Sequence, residues 1–265
     1  MNEQTTRILL TLDCDSIDLD IMRALSIFAE EHPVELTGLY VEDEDLIKAA
    51  KLPGLLEISL TSGAVSKLSA ATVSSQTRSQ LEKVRTQFEK SARSIDYKTL
   101  FRVVRGRVIE MFCEAARNSD LIVVSRALRP TGMRTYHGSQ FGNLLSQHSN
   151  FLFVNEPWHS GNCIIALYEF TSNQHDRALH AARRFADREQ IELIVAVPQK
   201  EISRLPVSAD KVVTLRNWSE ETIVQLCAQK DARLLVLPPS DHLDWRKLLM
   251  NLIDRLSCSL LRLEN

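Results

Sequence analysis

Two stretches far apart in the chain say the same thing. Arg7-Ile-Leu-Leu-Thr-Leu-Asp13 and Cys163-Ile-Ile-Ala-Leu-Tyr-Glu169 are each a nearly continuous apolar run closed by an acid. Runs of this length are too short for a typical helix and rich in β-formers, so they read as strands buried on both faces of a parallel sheet. The segments after the two runs match as well. Segment 17–31 sets Ile21, Leu25 and Phe28 on one helical stripe, and segment 175–189 does so with Leu179, Ala182 and Phe185 or Ala186. Second strand-like runs come next at Val34–Val41 and Ile191–Val197, and later ones at Ser119–Val124 and Asp231–Leu237.

Amphipathic helices precede the later runs (107–118 and 219–230) and succeed them (139–149 and 242–256), and each copy closes on a short apolar run, Phe151–Val154 and Leu260–Leu263. A unit written twice in this order predicts an α/β fold: two tandem flavodoxin-like five-stranded parallel sheets with helices on both faces. The Pro- and Gly-containing stretch Asn155–Asn162 separates a domain at 1–155 from a smaller one at 162–265. The copies differ at about 43–95, which shrinks to about 198–210 in the second. There Leu81, Val84, Phe88, Ala92 and Ile95 form one apolar stripe. That helix either covers its own sheet or offers segment 64–95 to a protein partner. The Ser/Thr/Ala-rich stretch before it reads as a less firmly packed helix or loop.

Composition narrows the function. Lys+Arg 32 against Asp+Glu 34 gives a net charge of -2, which offers no global attraction for nucleic acid or an anionic membrane. No apolar run approaches the ~20 residues of a membrane helix. Five scattered cysteines (Cys14, Cys113, Cys163, Cys227, Cys258) without a CxxC pair suit a reducing compartment, and Met1–Thr6 does not look like a signal peptide. The expected location is cytoplasmic. The histidines form no metal-site spacing. Ser139, His137 and Asp13 have the residue types of a hydrolytic triad but lack a G-x-S-x-G elbow, and neither a Walker A nor a G-x-G-x-x-G sequence occurs, so no enzyme activity and no metal are expected.

In a doubly wound sheet ligands collect beyond the carboxyl ends of strands, where the strand order reverses. The residues leaving the first copy's strands are Asp13 after the first, Val41 after the second and Ser125-Arg126 after the fourth. A first strand ending in Asp13, the Tyr40-Val41 pair, the Asp120-Leu-Ile-Val-Val124 run and Gly138-Ser139 opening a helix resemble the universal stress proteins. The resemblance implies their adenine nucleotide α-hydrolase-like fold, dimerised through final strands. Here that contact would be an intrachain pseudo-dimer through Phe151–Val154 and Leu260–Leu263, with a homodimer as a further option. It implies an ATP or AMP contact through Asp13 (ribose or adenine), Val41 (adenine edge, by backbone) and Gly138 with Ser139 (phosphate).

The chain departs from the family's G-x2-G-x9-G-[ST] pattern, because Ser125 and Leu128 stand where the first two glycines belong. A leucine resists the positive φ and close backbone approach of a phosphate loop. Arg126, Arg129 and Arg134 in the same loop supply guanidinium forks that can hold phosphate oxygens instead. In the second copy all eight glycines lie behind, at or before Gly161, and the fourth strand runs into Pro238-Pro239, so no cradle of backbone amides is expected. The expected function is a non-enzymatic stress-response or signalling protein with a degenerate nucleotide pocket in the first copy and no required cofactor. The alternatives are an ATP/AMP-binding regulator using the 126–137 arginines on a nucleotide or other small anion, or a protein-interaction scaffold through 64–95.

Overall fold

The computed structural model describes residues 5–12, 20–30, 32–52, 54, 56–58, 63–67, 70–125, 148, 150–155, 157–168, 175–199, 209–238 and 245–264. Strand β1 (Thr6–Leu12) leads to α1 (Asp20–Ala24), which tightens into a 3-10 turn over Leu25–Glu30 ahead of Pro33. Then come β2 (Val34–Asp43), α2 (Glu44–Ala49), a small hairpin of β3 (Leu56–Ile58) and β4 (Val65–Lys67), and α3 (Ala70–Ala92). The first half continues with β5 (Lys98–Gly106), α4 (Val108–Ala116), β6 (Leu121–Ser125) and β7 (Phe151–Val154). The second half is β8 (Cys163–Leu167), α5 (His175–Glu189), β9 (Glu192–Pro198), β10 (Lys211–Leu215), α6 (Glu220–Gln229), β11 (Ala232–Leu237), α7 (Trp245–Arg255) and β12 (Ser259–Arg262). The helix expected at 139–149 lies outside the described residues but for His148.

The sheet runs β10-β9-β8-β11-β12-β7-β6-β1-β2-β5. Counted along its own chain, each half has the order 3-2-1-4-5. Neighbours are parallel everywhere except at the centre, where β12 meets β7 antiparallel, with Leu260 opposite Phe153 and Arg262 opposite Phe151. The expected contact between final strands is therefore present. It corrects the expectation of two separate five-stranded sheets, because pairing those strands removes two free edges and leaves one ten-stranded sheet.

Two apolar layers, each continuous across both halves, flank the sheet. One lies under α1, α3 and α5, the other under α4, α6 and α7. Within the stretch that joins the two halves, Trp158 is packed: it is 1% exposed, and its ring lies 5.8 Å from that of Phe185 on α5. Phe28 from the first half meets Phe185 edge-on at 6.1 Å, and Arg184 pairs with Glu30 at 2.6 Å, so the two halves share side-chain contacts as well as a sheet. Gly161, at φ +99, is required here, since a Cβ would sit 2.6 Å from the Arg233 backbone nitrogen.

Helix α3 starts earlier than the Ser/Thr/Ala-rich sequence suggested, with Val73 already buried. Its stripe is spent on its own sheet: Val84 and Phe88 are buried, and Leu81, Ala92 and Ile95 pack against the same layer. Among the described residues no helix is long and apolar enough to cross a membrane.

Candidate functional site

In the first half the strand order turns back between β1 and β6, the neighbours that pair through Leu10 and Val123. A parallel sheet opens a crevice beyond such a point. The buried Thr11 hydroxyl, one of the few polar groups in the core, donates to the Val123 carbonyl at 3.2 Å and so ties the two strands together just below it. Sequence reasoning missed Thr11, because a threonine inside an apolar strand gives no sign of its partner.

Val41 sits near the end of β2 opposite Val104 of β5, its side chain packed against the layer under α4. Ser125 closes β6 opposite Val154. Asp13, Arg126, Arg129, Arg134, Gly138 and Ser139 lie outside the described residues. The structure thus fixes the strand ends that bring the segments together, and of the expected ligand contacts it locates Val41 and the backbone of Ser125.

Beyond β2 the charges satisfy one another. Asp43 caps α2, its carboxylate accepting from the Asp45 N–H at 2.9 Å, and the acid-rich first turn suits a helix N-terminus. Lys48 bonds Glu44 at 2.5 Å and, with Arg105 and Arg107 nearby, holds the Glu44 carboxyl below its usual range. Arg107 is pushed up by Glu110 at 3.1 Å and by Asp45 at 3.6 Å.

The matching edge of the second half is closed differently. β8 ends at Leu167, with the Tyr168 N–H donating to Ala196 at 2.9 Å, and β9 ends on Pro198. β11 ends at Leu237 before Pro238, a residue with no N–H to offer. Arg262, opposite Leu237, is ion-paired to Glu264. Pro239 and Glu169 lie outside the described residues.

A cleft of about 570 Å³ opens between α1 and the end of α5, lined by Asp20, Arg23, His159, Arg188, Glu189 and Gln190. His159 stands 3.2 Å from Asp20 and 3.4 Å from Glu189, while Glu189 also pairs with the nearly buried Arg233 at 2.6 Å. Three separate segments build this cluster, so no sequence spacing could have shown it. Among the described residues no group of three or more His, Cys, Asp or Glu could hold a metal ion.

No family model matches the sequence, and no curated protein does either. Solved structures match over nearly the whole chain. A universal stress protein from Archaeoglobus fulgidus DSM 4304 aligns over 96% of this chain and 94% of its own at 14% identity, with a TM-score of 0.58. A candidate universal stress protein from Pseudomonas aeruginosa UCBPP-PA14 aligns over 98% and 92% at 13% identity and 0.50. A protein of unknown function from Pseudomonas aeruginosa PAO1 aligns over 96% and 91% at 14% identity and 0.50. The chain has the fold of these universal stress proteins, and within it one strand order, 3-2-1-4-5, is written twice along the sequence.

Proposed function

We propose that the chain is a cytoplasmic, non-enzymatic stress-response or signalling module whose first half keeps a nucleotide-type position with a weakened hold on phosphate. The observation that carries this reading is the reversal of strand order between β1 and β6, with Asp13 next after β1, Val41 near the end of β2 and Ser125 closing β6. The replacement of two loop glycines by Ser125 and Leu128 supports weak phosphate binding. The described cysteines are free thiols, in keeping with a reducing compartment.

Calorimetric titration with ATP, ADP and AMP tests it. The expected outcome is weak binding with similar affinity for all three, lost in Asp13→Ala. An affinity that rises about tenfold with each phosphate, about 1.4 kcal/mol, and collapses in Arg126→Ala would instead establish the arginine-loop regulator. No heat at millimolar ligand would remove the nucleotide reading altogether.

A scaffold role has its own observation, in the hairpin just ahead of α3. The β3–β4 hairpin exposes Leu56 (58%), Ile58 (63%) and Val65 (60%), with Ile58 directly opposite Val65. An isolated two-stranded hairpin is only marginally stable. A partner docking here would be lost on replacing these three residues by Ser while nucleotide titrations stayed unchanged.

A further inference from the structure

Strand β5 is the outer edge of the first half, and among the described residues its nine have a neighbouring strand on one side only. Alternate side chains of a strand share a face. Phe101 goes to the layer under α3, where it meets Phe88, so Lys98, Leu100, Arg102 and Val104 belong to the opposite face. Val104 packs into the layer under α4, while Lys98, Leu100 and Arg102 are exposed, Leu100 at 48%. The open part of the edge therefore presents cation, leucine, cation at successive positions of one face.

These cations are available. Arg102 takes part in no ion pair among the described residues. Lys98 bonds Glu35 at 2.8 Å, but its side chain is 71% exposed, and a pair so open to water is weakly held. On the α3 side Arg85 adds a guanidinium 5.2 Å over the Phe101 ring. Residues 70–107, which carry α3 and β5, hold nine Lys or Arg against three Asp or Glu, in a chain whose net charge is -2.

Cations on an edge bar pairing with a like strand and leave one of opposite charge free to pair. The other outer edge, β10, starts at Lys211 and is followed by Arg216, both exposed, and the neighbouring Asp210 is already held by Arg183. A second copy of this chain would set cations against cations at either edge, and like charges directly opposite destabilise a strand pair. We propose that β5 takes up an extended acidic segment of a partner protein as an added strand, an apolar side chain of that segment against Leu100 and acids two residues to either side against Lys98 and Arg102. The pattern is symmetric, so it serves a parallel or an antiparallel strand. Backbone bonds supply affinity and the alternate side chains select the partner. This edge is separate from the β3–β4 hairpin and from the crevice beyond β1 and β6, and stands whether or not either of those binds.

Amide hydrogen exchange of the full chain with the end-blocked peptide TETLTET, whose glutamates and leucine repeat the spacing of Lys98, Leu100 and Arg102, tests the proposal. The expected result is slower exchange across 98–106 with no change across 211–215. The same peptide N-methylated at its third and fourth residues keeps every side chain and loses a donor from each side of the strand, and should slow nothing. Arg102→Glu should bind TETLTET about tenfold more weakly and take TKTLTKT in its place, an exchange of preference that a misfolded variant could not produce. Equal slowing by the methylated peptide would reduce the edge to a charged patch and overturn the proposal. No slowing by TETLTET at millimolar concentration would also overturn it, as would tighter binding of a single-stranded oligothymidylate, which would assign the edge to nucleic acid.

Discussion

The two halves share a strand order and differ in how they cover the sheet face beneath α3. Between its second and third strands the first half places residues 44–97, which carry α2, the β3–β4 hairpin and α3, while the second half has only 199–210. That is near the dozen residues a parallel crossover needs. In the first half Phe88 of α3 fills the space over Gly38 and meets Phe101 of β5 at 5.6 Å. In the second half Val212 of β10 is only partly buried, and the edge is fastened by charge. Arg183 of α5 holds Asp210 at 2.8 Å and Asp187 at 2.7 Å, and Asp210 also accepts the Leu193 N–H at 2.8 Å. The same topology therefore tolerates two balances at its outer strands: the apolar volume of a long helix weighs most in the first half, where Lys98 also bonds Glu35 at 2.8 Å, and polar bonds weigh more in the second.

The contrast is sharpest at Phe88. Phe88→Ala should cost about 3–5 kcal/mol, read as a lower urea midpoint, because it empties the layer between α3 and two strands. A loss below about 1 kcal/mol would show that α3 is not what secures the first half's edge. Gly38→Ala should cost about 1–3 kcal/mol, since its Cβ would stand 2.5 Å from the Phe88 ring and 2.8 Å from Leu12. The clash is mostly with one side chain, so Gly38→Ala in a Phe88→Leu background should cost less than in the unaltered chain. Equal costs in the two backgrounds would mean that the ring is not the obstacle.

Most of the sheet was legible because buried parallel strands need near-continuous apolar runs, as β1, β2, β6, β8, β9 and β11 have. The third strands were not delimited for the opposite reason. β5 and β10 are the outer edges, and β5 spaces Lys98, Arg102 and Arg105 among its apolar residues, as edge strands do to avoid pairing with other chains. The signal for α2 was present in Asp43-Glu-Asp45, a capping residue ahead of two acids, but at six residues the helix is too short for periodicity to find. That two sheets become one results from a single pairing, β7 with β12, which apolar pattern cannot specify and family resemblance supplied. Of the candidate site, strand ends were readable and contacts were not: Thr11 and the His159 cluster depend on which segments meet, a property of the whole sheet.

The smallest expected effect lies at the second half's edge. The Leu193 N–H first, and then the Arg183 guanidinium, hold the Asp210 carboxyl below its ordinary range. A carboxyl whose folded value is depressed adds stability above its unfolded value, about 3.9, and that stability is lost as the pH falls through the folded value. Asp210→Asn keeps the shape, removes the charge and should lower stability by about 1 kcal/mol or less, because the Asp210 carboxylate is 46% exposed and screening weakens its pair with the more buried Arg183. The difference between the two chains should hold steady from about pH 5 to 8 and close as the pH drops below about 4. Thermal unfolding across that range measures it. No gap at any pH would mean that Asp210 acts by shape alone, and that the second half's edge, like the first's, is held by packing.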